Sequence, residues 1–179
     1  MIVLRPRKMC WNPAMEHDPT DQCAHGEVEF TIDPVPFVSG EDAADVTVSA
    51  GALFLLRTLT YDHTAANPVA EESQLFPHCG FTALAAGTRF PVLVFGCNAG
   101  VDLEVVHADG MVTIRTGGGT EASVTEVEWR DAVLGFVDHV QAFYDGAPAR
   151  EPLNDAAEDE GWAAFWQEWR DRRLALQRS

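Results

Sequence analysis

The clearest apolar periodicity in the chain lies between Thr125 and Gly146. Trp129, Val133, Phe136, Val137, Val140 and Tyr144 recur at the 3.6-residue spacing of a helix with one buried face. Thr125 stands three residues before Glu128, a capping-box spacing that predicts the helix start. Gly146 predicts a left-handed end, and Pro148 prevents a restart. Upstream, residues 101–107 and 111–116 are joined through Asp109-Gly110, a dipeptide suited to a type I′ turn, and predict a hairpin. A glycine loop at 117–119 leads into a short segment at 122–124. The apolar run 91–97 predicts a strand, with another over 81–85 leading to it.

The N-terminal half is less regular. Residues 1–4 predict a short edge strand, and 6–21, with Pro6, Pro13 and Pro19, an irregular stretch in which Trp11 and Met15 cover part of the core. Val28, Phe30 and Ile32 alternate with Glu27, Glu29, Thr31 and Asp33, the pattern of a half-buried strand with an acidic outer face, ended by Pro34 and Pro36. Residues 45–60 predict a helix capped by Thr47 or Ser49. Its apolar content nearly all round makes it a buried one, with a strand entry at Val46 and Val48 as the alternative. Residues 61–80 read as a long surface loop, a length often tied to function. After a second loop, a last helix starts near Asp159 or Gly161, with Trp162, Phe165, Trp166 and Trp169 along one stripe. This stripe is expected to dock the helix onto the domain; a partner surface is the alternative. Together these elements predict one α+β domain over residues 1–179, an antiparallel sheet with helices packed on one face and a Trp-rich C-terminal helix.

Charge changes the picture most. The 179 residues carry 12 basic and 28 acidic side chains, a net charge of −16. The basic residues cluster at the ends. Between residues 9 and 169 there are five basic and 27 acidic residues, a net of −22. Such a field repels nucleic-acid backbones and anionic membranes and attracts basic partners. No apolar run is long enough for a bilayer span. Residues 1–4 precede Arg5, Arg7 and Lys8, the reverse of a signal-peptide order, so a cytoplasmic location is expected.

Candidate chemistry is sparse. Cys10, Cys23, His25, His78 and Cys79 form a pool of soft donors for zinc, which Cys97 could complete. Their spacing matches no common zinc motif, and buried reduced thiols account for the cysteines without metal. The neighbours His78 and Cys79 are expected to point apart on an extended backbone, which disfavours a thiol nucleophile with Cys79 or Cys97. Asp102 with Glu104, and Glu27 with Glu29, share strand faces, as solvated acidic faces do.

Several segments together resemble immunity proteins of bacterial polymorphic-toxin systems. They are Cys23-Ala-His-Gly26, Val46-Thr-Val-Ser-Ala50 before Leu55-Leu-Arg-Thr58, Leu75-Phe-Pro-His-Cys-Gly80, Gly96-Cys-Asn-Ala-Gly-Val-Asp102, Glu128-Trp-Arg130 and Gly161-Trp-Ala-Ala-Phe-Trp166. The resemblance spans most of the chain and implies a cytoplasmic α+β domain that binds a cognate toxin. The leading expectation is therefore a non-enzymatic acidic protein without a cofactor, occluding a basic site on its partner through Glu27, Glu29, Asp62, Glu71, Glu72, Asp102 and Glu104. The alternatives are a zinc-stabilised domain or metalloenzyme using the Cys/His pool, and a mimic of nucleic-acid charge.

Overall fold

A helix that is apolar on nearly every side can only sit at the centre, and the chain is built around one. In the computed structural model, which describes residues 1–12, 18–38, 45–70, 74–80, 82–85 and 89–177, helix α1 (Val48–Thr58) is buried at every position. Before it come strands β1 (Ile2–Trp11), β2 (Ala24–Ile32), β3 (Val35–Val38) and β4 (Val46–Thr47). After it come β5 (Phe76–Pro77), β6 (Thr82–Leu84), β7 (Leu93–Phe95), β8 (Gly100–Val101), β9 (Leu103–Ala108), β10 (Met111–Thr116) and β11 (Glu121–Thr125). Helices α2 (Glu126–Gly146) and α3 (Ala156–Leu176) close the chain. The fold is α+β. Every ladder is antiparallel: β1-β2-β3 with β4 also on β2, β11-β10-β9, β5-β8 and β6-β7. Strands β2 and β5 and helices α2 and α3 all pack on α1.

The predicted hairpin is present as β9-β10, with Asp109 and Gly110 at φ 51° and 76°, both positive as a type I′ turn requires. Helix α2 starts where expected. The Thr125 hydroxyl accepts from Glu128 N at 3.2 Å, and the Glu128 carboxylate accepts from Thr125 N at 2.9 Å. Thr125→Ala is expected to cost about 1 kcal/mol, read as a lower urea midpoint with an unchanged slope. Gly146 ends α2 without positive φ; the chain leaves through an extended Ala147, because Pro148 bars the helical region to the residue before it. Helix α3 starts at Ala156, earlier than expected, since the Asp155 carboxylate caps Ala157 N and Glu158 N. Trp162, Phe165 and Trp169 are buried and Trp166 half-buried against Tyr144, so the aromatic stripe is core.

Three further expectations change. Strand β1 continues through Pro6 to Trp11, with a register shift between Arg7 and Cys10; Pro6 is tolerated because β1 is an edge strand. Trp11 does cover the core, against Phe143 and Tyr144, whereas Met15 lies outside the described residues. Strand β2 does end at Ile32, ahead of Pro34, but Pro36 does not keep the chain out of the sheet, since it lies within β3. The described residues of 61–80 are not surface loop throughout: His63, Val69, Leu75 and Phe76 are buried. Parts of their backbone enter ladder-like pairs. His63 pairs with Val105, and β5 with β8.

Candidate functional site

The segment leaving β5 and the loop leaving β7 meet at one end of α1. Two glycines force that meeting. A Cβ on Gly96 would lie 1.9 Å from the Cys79 carbonyl oxygen, and one on Gly100 would lie 2.4 Å from that of Phe76. Only bare backbone allows residues 96–100 to press this closely on residues 76–80. The contact is then pinned by His78 N donating to Ala99 O at 2.8 Å. On the other side, the Thr47 hydroxyl donates to His78 O at 3.2 Å, tying the segment to β4.

The result is a cluster that sequence spacing does not reveal. His78 Nδ1 lies 3.2 Å from Cys79 Sγ and 3.6 Å from Cys97 Sγ, and the three donor atoms are all within 4.8 Å of one another. The adjacent side chains of His78 and Cys79 therefore converge, contrary to expectation, because the chain turns out of its strand after Pro77. His78 is exposed, and both thiols are half-buried. Across the imidazole, Nε2 faces Asp45 Oδ2 at 3.7 Å, and Asp45 Oδ1 pairs with Nδ1 of the buried His25 at 3.2 Å.

Of the predicted donors, His78 and Cys79 join Cys97 here, and the other three stand apart among the described residues. His25 reaches the cluster only through Asp45. The buried Cys23 thiol donates to Gly80 O at 3.0 Å, and burial pushes its pKa well up, as expected of an inert core thiol. Cys10 is exposed on β1, opposite His25 in the ladder.

The geometry fits a soft cation. Zinc bonds of about 2.3 Å to sulfur and about 2.05 Å to nitrogen at the tetrahedral angle hold N and S about 3.5 Å apart. The two observed separations straddle that value. An activated thiol nucleophile fits less well. Burial and the neighbouring Cys97 thiol push the Cys79 pKa up, and the Asp45 charge adds to the shift. Activated cysteines sit instead in electropositive surroundings.

The acidic residues singled out from the sequence form two separate groups, and each described one is engaged within the chain. Glu29 accepts from Arg5 and Arg7, and Glu27 from Lys8, at 2.7–3.0 Å. These bonds from Arg5 and Arg7 hold the Glu29 carboxyl below its ordinary pKa. Around β9, Asp62 accepts from His107 N at 2.9 Å and from its Nδ1 at 3.0 Å, which lowers its pKa. Asp102 accepts from Leu75 N at 3.1 Å and from His63 Nε2 at 2.8 Å. Glu104 pairs with Arg115 at 3.1 Å. Glu71 and Glu72 lie outside the described residues. No described helix is long and apolar enough to cross a membrane.

Comparison with protein families, curated proteins and solved structures finds no match to the chain.

Proposed function

We propose that this protein binds a soft divalent cation, zinc foremost, through His78, Cys79 and Cys97. The observation that carries the reading is the convergence of an imidazole nitrogen and two thiols at 3.2 and 3.6 Å. Thiolate and imidazole donors together select soft and borderline metals over calcium or magnesium. Three protein donors, one of them exposed, make an accessible centre that leaves a coordination position for water or an external ligand, unlike the closed four-donor set of a structural site. The net charge of −16 draws cations toward it. The metal would supply Lewis acidity there, while His78, Cys79 and Cys97 hold it and the glycine clamp fixes their spacing.

Untagged protein titrated with Co²⁺ under reducing conditions is expected to develop thiolate-to-cobalt charge-transfer and visible d–d absorption, saturating at one equivalent. Cys79→Ser and Cys97→Ser each weaken both bands, and Cys10→Ser leaves them unchanged. Wild-type protein that shows no charge-transfer band, and carries no zinc by elemental analysis, overturns the reading.

A second reading, the acidic antidote to a toxin, is favoured by the net of −22 over residues 9–169. It predicts one stoichiometric basic partner, encoded beside this gene, toxic alone and bound less tightly at higher salt. If no such partner is retained at low or moderate salt, this second reading fails.

A further inference from the structure

We propose that Asp45 is the positioning residue of the metal centre, setting the tautomer and direction of the His78 ring, and that His25 holds Asp45 in place. The inference rests on the metal reading above. It starts from a property of imidazole: the two ring nitrogens point to opposite sides, and only one carries the proton in the neutral form. The side that meets the thiols is Nδ1, at 3.2 Å from Cys79 Sγ and 3.6 Å from Cys97 Sγ. For Nδ1 to offer its lone pair to a cation, the proton must reside on Nε2. The group standing at Nε2 is the Asp45 carboxylate, with Oδ2 at 3.7 Å. A carboxylate there favours a proton on Nε2 and so leaves Nδ1 free to ligate. Outer-shell carboxylates act in this way on metal-binding histidines, orienting the ring and raising its basicity.

Asp45 is placed for this role by the fold. It immediately precedes β4, whose Val46 and Thr47 pair with Gly26 and His25 of β2. Its Oδ1 is engaged by His25 Nδ1 at 3.2 Å, and the His25 side chain is 5% exposed, so this anchor is part of the core. The Thr47 hydroxyl bonds His78 O at 3.2 Å, so the short strand that follows Asp45 also fixes the backbone of the residue whose ring Asp45 orients. Direct ligation by Asp45 is disfavoured by placement, since the ring lies between its carboxylate and the two sulfurs. The arrangement is thus a chain from the buried His25 to Asp45, to His78, to the cation.

The test uses the full chain as Asp45→Asn, Asp45→Glu and Asp45→Ser. The Asp45 side chain is 57% exposed, so the isosteric Asn is expected to fold, and Ser is the second variant should it not. Zinc affinity is measured by competition with a chromophoric chelator, and the His78 tautomer in the metal-free protein by nitrogen-15 NMR of the ring. The expected result is a loss of about 10–100-fold in affinity for Asn and Ser, with the ring leaving the Nε2–H tautomer, and recovery with Glu. A wild-type protein that binds zinc while the Asn and Ser variants bind as tightly, with an unchanged ring spectrum, overturns the role of Asp45 and leaves the metal site standing. Wild-type protein that binds no zinc overturns the metal reading and this inference with it.

Discussion

Replacing Arg57 with Met is expected to lower the unfolding free energy by about 3–5 kcal/mol, because it breaks the two-pronged half of a buried carboxylate's pairing, leaving Glu168 to Arg172, and takes the donor from two buried carbonyls. Arg57 is fully buried in α1, and the Glu168 side chain on α3 is 2% exposed. The guanidinium grips both carboxylate oxygens, Nε to Oε1 and Nη2 to Oε2, each at 2.9 Å. A two-pronged pair of this kind is among the strongest hydrogen-bonded contacts in proteins. The same head donates to Val69 O at 2.7 Å and Val92 O at 2.8 Å, and it lies 4.1 Å from the Phe90 ring centre. One side chain thus ties the central helix to the buried Val69, to the approach to β7 and to the C-terminal helix. The Arg57→Met, Glu168→Leu double variant should recover part of the loss, since it removes the buried carboxylate and leaves Arg172, whose side chain is 17% exposed, to find water. Urea unfolding decides it: a midpoint shift no larger than that of a surface substitution would count against the argument.

The same pair carries a pH signature. Burial raises the pKa of Glu168, but Arg57 and Arg172 outweigh it and hold the carboxyl below its ordinary value. A depressed folded pKa stabilises fully above the unfolded value, and the contribution is lost as pH falls through the folded one. The Glu168 share of stability is therefore lost on the acid side only, and Arg57→Met should flatten that part of the stability profile.

Gly96→Ala is expected to remove metal binding and to destabilise the fold by about 1–3 kcal/mol. The added methyl would lie 1.9 Å from Cys79 O and 2.5 Å from its carbonyl carbon, so residues 96–100 must lift from the segment that carries His78. Cys97 moves with them, and the three donors separate. Gly117→Ala is the control, for a Cβ there meets nothing within 4 Å. Cobalt binding by Gly96→Ala at wild-type affinity would show that the clamp does not set the donor spacing.

Much of the scaffold was legible because its signals are local. The α2 cap needs only Thr125 and Glu128, the β9-β10 turn only Asp109 and Gly110, and the burial of α1 only its apolar content. Where reading failed, distant partners had overridden local cues. Pro6 looks like a strand breaker until an edge position makes its missing N–H harmless. His63 and Phe76–Pro77 look like loop until Val105 and β8 supply ladder partners.

Charge shows the same division. In sequence, Arg5, Arg7 and Lys8 stand well apart from Glu27 and Glu29; in the fold the β1-β2 register sets Arg5 opposite Glu29 and Arg7 opposite Glu27, and the acidic face is offset by basic neighbours.

By itself, then, the sequence determined the α+β class, the buried central helix, the capped α2, the Trp-bearing α3 and the net negative charge, since each follows from composition or from spacing within a few residues. The tertiary structure alone decided the candidate site. Cys97 lies 19 residues from His78, and Asp45 lies 33 residues before it, with no motif linking them. They meet because β4 pairs with β2, β5 pairs with β8, and two glycines let backbone approach backbone. That proximity is a property of register and close packing, which no spacing along the chain encodes.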